Sequence, residues 1–365
     1  MVITIATLLF VAACTSSPEE VQAVVELDTF TLSVVDSIGV SAGDSNYVFG
    51  AIYAVENGPD GSVFMLDACD NTIIQYDSSG AFVRLFGGAG SGPGELNMPG
   101  YFTVNDRGNP YVIDANCFVM YNYDGSLLLQ KNLSQIEHPQ SVEAMPGGQI
   151  LGVLSEYDIR DEDEHFIVNR IALWQDSTPE SPIVYFNAEE YDLSHGDFMT
   201  NITKIDYFPM LFTGSGDDVY IAPDPVNSPL IYRFNTVGSC VDTLTLPYVV
   251  VPKTEQELLD EKLFIEHAVY TNSFGNVSLE WEPESDKPMI KSLGIGSNGC
   301  LWVQRGNEPT PTFDIINSDG EIVGIASLPG REDTSYWHFE IDPSGIIAYD
   351  KDPEDYQRIF ILEVE

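Results

Sequence analysis

Basic residues are scarce. Lysine and arginine total 15 against 57 aspartate and glutamate in 365 residues, a net charge of −42. A surface of that sign repels phosphate backbones, so nucleic acid is excluded as a partner. The acids are spread along the chain, as on a solvated surface suited to salty or extracellular conditions. Membrane-length apolar runs are also lacking, and a mean hydropathy of −0.04 argues against a polytopic membrane protein. The five cysteines form no C-x-x-C pair, which disfavours zinc-ribbon and thioredoxin chemistry. There is no D-x-[DN]-x-[DN]-G calcium loop and no G-x-S-x-G nucleophile elbow. The glycine run Gly87–Gly94 lacks the Lys-Ser/Thr of a phosphate loop, and no helical pattern follows it, so it reads as a connection. Hydrophobic residues nevertheless reach 44%, enough for a sizeable core.

Residues 2–13 (VITIATLLFVAA) are too short to span a bilayer as a helix but suit the apolar region of a signal peptide. They end in Val11-Ala12-Ala13-Cys14, which resembles a bacterial lipobox, with the Cys14 thiol as lipid acceptor. No Lys or Arg precedes the run, a departure from that pattern. Thr15 stands where an aspartate would signal inner-membrane retention, so the resemblance implies an outer-membrane lipoprotein. The expected organisation is a signal peptide at 1–13, a lipid-anchored tether at 14–27 and a folded unit at 28–365, with the membrane met through the anchor alone.

Self-similarity is the strongest internal signal. Gly61–Asp67 (GSVFMLD) matches Gly108–Asp114 (GNPYVID), and Ile73–Asp77 (IIQYD) matches Met120–Asp124 (MYNYD). Gly61 and Gly108, Asp67 and Asp114, Tyr76 and Tyr123, and Asp77 and Asp124 are each 47 apart. Weaker copies place anchoring glycines at Gly148, Gly216, Gly299 and Gly345, giving six units of short strands punctuated by Asp and Gly turns.

Six such units point to an all-β, six-bladed β-propeller of four-stranded blades. On Gly90–Pro99 (GSGPGELNMP) and Phe102–Asp114 (FTVNDRGNPYVID), the chain resembles the NHL-repeat propellers and the bacterial six-bladed propeller lipoproteins. The last unit has only three candidate strands, Trp337–Ile341, Ile346–Asp350 and Arg358–Val364. The alternating segment Thr29–Val35 is expected to supply the fourth, as the outer strand that closes the ring. Two insertions stand out: an acidic loop at 155–167, and a short helix at 253–271. The helix opens with a Thr254/Glu257 capping box and carries Leu258, Leu259, Leu263, Phe264 and Val269 on its apolar face. Trp302 and Trp337 fall at strand positions, where core packing is expected.

The strand-ending acids Asp67, Asp114, Asp224 and Asp350 are candidates for a ligand face, because in related propellers these ends share a side with the inter-blade loops. Clustered there they could hold calcium, the candidate cofactor; capping of each turn is the alternative. Cys69 with Cys117, and Cys240 with Cys300, are candidate disulfides, with buried free thiols as the alternative. His138, His165, His195, His267 and His338 recur at no equivalent position. Enzymes of this architecture include amidating lyases and lactonases with metals at the channel, but none of their motifs is matched. The leading function is therefore a non-catalytic binding or scaffolding module for a protein, peptide or glycan partner at the cell envelope. The alternative is a metal-dependent hydrolase or lyase working in the central channel.

Overall fold

A computed structural model describes residues 27–114, 117–133, 137–161, 164–175, 182–192, 210–272, 282–331, 334, 337–351 and 356–365. The signal-peptide and lipobox segment lies outside them. Strands β1 (Asp28–Ile38) to β24 (Ile359–Val364) make six four-stranded blades. Blade 1 is β2 (Ile52–Asn57), β3 (Val63–Asp67), β4 (Thr72–Tyr76) and β5 (Phe82–Gly87). Blade 2 is β6 (Pro99–Val104), β7 (Pro110–Asp114), β8 (Cys117–Tyr121) and β9 (Leu127–Asn132). Blade 3 is β10 (Glu137–Met145), β11 (Gln149–Asp161), β12 (Glu164–Gln175) and β13 (Ile183–Asp192). Blade 4 is β14 (Leu211–Ser215), β15 (Asp218–Ala222), β16 (Leu230–Asn235) and β17 (Cys240–Thr245). Blade 5 is β18 (Ile290–Ile295), β19 (Leu301–Arg305), β20 (Thr312–Ile316) and β21 (Ile322–Ser327). Blade 6 is β22 (Trp337–Asp342), β23 (Gly345–Asp350), β24 and β1. The first strands of the blades touch in order, β2, β6, β10, β14, β18 and β22, and β22 returns to β2.

The core lies between blades. Phe64, Leu66, Ile73 and Phe86 of blade 1 pack on Phe102, Val112, Val119 and Tyr121 of blade 2. Equivalent clusters join each following pair, and Ile347, Tyr349 and Ile359 of blade 6 meet Ile52, Val55, Met65 and Ile74 of blade 1. This explains why the second strands read as unbroken apolar runs: β3 and β7 are buried at every position, sandwiched on both faces. Trp302 and Trp337 belong to the cluster between blades 5 and 6. Five of the six anchoring glycines sit in the turn between first and second strands, and Gly345 opens the second strand of blade 6. Those five have φ between +61° and +80°, which a side chain would strain.

Ring closure follows the expectation and adds to it. Leu32–Ile38 of β1 pairs antiparallel with β24, completing blade 6. Asp28–Thr31 of the same strand runs parallel to Gly324–Ser327 of β21, the outer strand of blade 5. One strand thereby staples two blades. Between blades 4 and 5, the buried carboxylate of Asp314 accepts from Arg305 Nε (3.0 Å), Arg305 Nη2 (2.7 Å) and the Tyr248 hydroxyl (2.6 Å), tying the connector to blade 5.

Four sequence readings need correction. The Tyr76/Tyr123 equivalence slips by two residues. The turn after Asp114 is shorter than the one after Asp67, so β4 aligns with β8, and Tyr76 with Tyr121. Both are buried and donate to the connector before the inner strand, Tyr76 to Asn46 O (2.6 Å) and Tyr121 to Gly94 O (2.9 Å). Tyr123 is instead an exposed turn residue under Arg84. The stretch 155–167 is not an acidic loop. Its described residues extend the β11–β12 hairpin, with Glu156 paired to Arg170, Asp158 to Arg160, and Arg160 over the Phe166 ring.

The helix, α1 (Glu255–Asn272), has its reciprocal cap: Glu257 N donates to Thr254 Oγ1 (3.2 Å) and Thr254 N to Glu257 Oε2 (2.8 Å). Its apolar face, which suits either packing over a blade edge or a lid over the channel, is not buried throughout: Leu259 and Leu263 are 49% and 54% exposed. Ion pairs hold it: Lys253–Glu261 (2.5 Å), Lys262–Glu282 (2.6 Å) and Lys287–Glu257 (2.6 Å). The side chains of Phe264 and Val269 lie outside the described residues. Neither disulfide forms, and all four thiols are free. Cys69 sits in a turn of blade 1 while Cys117 opens a strand of blade 2 and donates to Asn132 Oδ1 (3.2 Å). Cys240 is on an outer strand and Cys300 in an inner turn.

If β1 staples the ring, its buried face carries the stability. Leu32 is 1% exposed, and Leu32→Ala is expected to cost about 2–5 kcal/mol in a denaturant melt. Val35, 49% exposed on the same strand, should tolerate alanine within about 0.5 kcal/mol. Equal losses for the two would mean that β1 is not docked as described.

Candidate functional site

The four strand-ending acids occupy one end of their blades but do different work. Asp67 is buried and accepts from Gly50 N (2.8 Å), Ala51 N (3.3 Å), Cys69 N (2.9 Å) and Asp70 N (3.4 Å). Asp114 accepts from Asn97 N (2.9 Å) and Met98 N (2.6 Å). Gly50 and Ala51 stand 47 residues before Asn97 and Met98, so the repeat preserves the bond pattern as well as the acid. Both carboxylates clamp the chain where it enters the inner strand. Asp224 caps its own turn through Asn227 N (3.1 Å) and Nδ2 (3.2 Å), and Asp350 ends β23 half-buried. The structure therefore engages Asp67 through both carboxylate oxygens and Asp114 through Oδ1 with backbone N–H groups. Among the described residues, no three His, Cys, Asp or Glu side chains are placed to hold a metal ion.

The groups that do converge come from the inner strands. Glu56, Thr103, Glu143, Gly294 and Glu340 each lie five residues before an anchoring glycine, and Thr213 takes that place in blade 4. They form a belt around the channel. Thr103 Oγ1 donates to Glu56 Oε2 (3.4 Å) and itself accepts from Ala144 N (2.9 Å). Glu143 Oε1 accepts from Thr213 Oγ1 (3.0 Å) and Gly214 N (3.1 Å). Gly294 leaves no room for a Cβ, which would lie 2.3 Å from Ile341 O of blade 6. Asp342, capped by Ser344 N (2.7 Å) and Gly345 N (3.1 Å), adds a fourth carboxyl.

These carboxyls line a passage enclosed by protein, so water is only partly available to them. Burial raises Glu56 and Glu340 well above the usual carboxylate range, and repulsion among Glu56, Glu143, Glu340 and Asp342 adds to it. Burial pushes Glu143 up to about 7 against the pull of its two donors, and it raises Asp342 too. Each carboxyl of the belt therefore keeps its proton to a higher pH than a free carboxylate would.

Toward the end of the channel where Asp67 and Asp114 lie, the lining changes sign. Inner-strand pairing skips one residue at Tyr53 in blade 1, Gly100 in blade 2, Ser141 in blade 3 and Lys291 in blade 5. Such bulges re-aim side chains and often sit beside sites. Between the bulged blades 5 and 1, blade 6 contributes His338, paired across the strand with Tyr349 and stacked on it at 5.3 Å. Lys351 Nζ lies 5.4 Å from the Tyr53 ring and 5.4 Å from the Tyr349 ring, while Tyr101 meets Tyr53 edge-on at 6.4 Å. Lys291 Nζ donates to Thr334 O (3.4 Å). Burial lowers Lys291 and Lys351 to about 8, and burial together with these two ammonium groups depresses His338 well below its ordinary value.

The two lysines, His338 and the glutamates carry no motif, and sequence reading missed their grouping. The usable signal was the offset of five residues from each glycine. His338 is the one histidine of the five whose side chain falls among the described residues.

The belt sets a pH dependence. A carboxyl whose folded pKa is raised favours folding fully below its unfolded pKa, and that contribution disappears as pH rises through the folded value. For Glu143 the window runs from about 4.5 to about 7 and corresponds to at most roughly 3 kcal/mol. Glu143→Gln keeps an acceptor for Thr213 and Gly214 yet cannot ionise. Its melting temperature relative to the parent is expected to rise between pH 5 and pH 8. An unchanged difference across that range would show that Glu143 is not held protonated.

Comparisons with known proteins agree with the architecture. Residues 42–169 match the model of a family described as a 6-bladed beta-propeller. The fold is similar to that of a candidate exported protein from Bacteroides fragilis (TM-score 0.53, 15% identity, 92% of this chain and 99% of that one covered). It is also similar to a member of the duf4221 family from Bacteroides vulgatus (TM-score 0.54, 10% identity, 93% and 99% covered). A streptogramin B lyase matches more loosely (TM-score 0.44, 15% identity, 92% and 98% covered), too distant to say anything of activity. No curated protein matches the sequence. The chain is a six-bladed β-propeller, closed by its first strand and similar over residues 42–169 to the six-bladed family.

Proposed function

We infer that the protein is a non-catalytic binding module, exported and anchored through Cys14, that presents the channel mouth to a protein, peptide or glycan partner at the cell envelope. The observation that carries this reading is the placement of Lys291, Lys351 and His338 among Tyr53, Tyr101 and Tyr349 at one end of the channel. Basic side chains are few in this chain, and half-burying two lysines in surroundings that lower them to about 8 opposes folding. Groups held at such a cost mark sites more often than packing. Aromatic faces beside a few convergent polar groups are the ordinary make-up of a ligand pocket. Export is supported by the lipobox resemblance at residues 11–14 and by the export description of the Bacteroides fragilis protein of similar fold.

The purified protein, applied to glycan and peptide arrays, is expected to bind members of at least one class saturably. Tyr53→Ala and Lys351→Met should weaken that binding at least about tenfold, or 1.4 kcal/mol, with little change in melting temperature. Binding that ignores both substitutions would move the site elsewhere, and no binding on either array would reject the module reading. Cys14→Ser should shift the expressed protein from the detergent phase to the aqueous phase; partition unaffected by the change would remove the anchor.

A further inference from the structure

The mouth has a chemistry narrower than binding in general. Lys351 lies against the rings of Tyr53 and Tyr349, and His338 stacks on Tyr349 from the inner strand of the same blade. Lys291 approaches from blade 5 through its bulge. Lys351 and His338 share the Tyr349 ring, and Lys291, bonded to Thr334 just ahead of the strand that carries His338, lies with Lys351 within electrostatic reach of His338. Their shared neighbour should be an anion, since like charges gathered in an enclosed passage repel until one is bound. Deeper in, the carboxyls of Glu56, Glu143, Glu340 and Asp342 keep their protons to higher pH than free carboxylates, so they repel an anion less than four ordinary carboxylates would. The second feature is flat apolar surface. Tyr53 is 37% exposed at its bulge and has Tyr101 edge-on beside it, leaving ring surface at the rim.

We propose that the channel mouth binds an acidic sugar, its carboxylate held between Lys291 and Lys351 with His338 as a further hydrogen-bond partner, and its pyranose face laid on Tyr53. A carboxylate gives both ammonium groups a charged acceptor, in addition to the Thr334 carbonyl that Lys291 already meets. The C–H face of a sugar suits a tyrosine ring, whereas a peptide carboxylate would use the lysines without needing Tyr53. This inference rests on reading the mouth as the binding face, and it names the ligand class.

The test is calorimetric titration of the purified protein with D-glucuronate, with glucose as its neutral counterpart and N-acetylglycine as a peptide-type carboxylate. Glucuronate is expected to bind with a millimolar or tighter Kd, and glucose at least about tenfold more weakly. Lys351→Met and Lys291→Met should each weaken glucuronate at least about tenfold, Lys351→Arg should stay within about threefold, and Tyr53→Ala should weaken it several-fold. Circular dichroism of each variant confirms that it is folded, and the arginine variant separates loss of charge from loss of structure. No saturable heat with glucuronate up to about 10 mM would overturn the proposal. So would N-acetylglycine binding as tightly with no effect of Tyr53→Ala, or glucose binding as tightly as glucuronate. If the arrays reveal a peptide ligand while glucuronate fails, the binding-module reading stands and the sugar assignment falls.

Discussion

Burial between neighbouring blades is the constraint on which the rest of the molecule depends. A four-stranded blade here is apolar on both faces, as the fully buried β3 and β7 show. No blade can hide that surface alone, so each needs two neighbours, and only a closed ring gives every blade both. The six inter-blade clusters are the result, and the sixth exists because blade 6 returns to blade 1. β1 carries much of the burden of closure. It supplies the missing strand of blade 6 and pairs with the outer strand of blade 5, so the N-terminal end of the fold locks its C-terminal end.

Closure also creates the channel and fixes what it must contain. Six inner strands meet at the axis, and one residue of each belongs to the belt. The belt is not uniform: around the ring it runs Glu56, Thr103, Glu143, Thr213, Gly294 and Glu340, which makes Glu340 and Glu56 neighbours where the ring closes. The glycine answers a steric demand, the close approach of blade 6 backbone. The glutamates answer no packing demand. Their mutual repulsion and poor hydration oppose folding until protons bind. Bulges then turn Tyr53 and Lys291 into the mouth beside His338 and Lys351, so one short passage holds proton-retaining acids at one depth and weakened bases at another. The repeated Asp67 and Asp114, by contrast, spend their charge on backbone donors that would otherwise be unsatisfied.

Much of the architecture was legible in the residues, because turn chemistry and strand period are local. The anchoring glycines, the three strands of the last blade, the closing strand and the helix cap all follow from rules that act over a few residues. Where sequence reading slipped, the cause was a non-local compensation. A shorter turn after Asp114 moved the buried tyrosine from the position matched by spacing to Tyr121. The hairpin of blade 3 reads as an acidic loop because its outer pairs satisfy their charges across the strands, as Glu156 with Arg170 and Arg160 on Phe166 show. The leucines of α1 suggested packing, yet ion pairs to residues 282–287 hold the helix.

By itself the sequence determined the six-fold repeat, the all-β class, the acidic surface and the strand that closes the ring, since each is written in composition or in short-range pattern. Only the tertiary structure decided which charges share a space. Glu56, Glu143 and Glu340 come from three blades, and Lys291, Lys351 and Tyr53 from three different parts of the chain; nothing in their spacing says that they meet. They meet because a propeller turns one residue of every blade toward a common axis. The electrostatics of that axis depend on distance through space and on exclusion of water, and neither is a property of position along the chain.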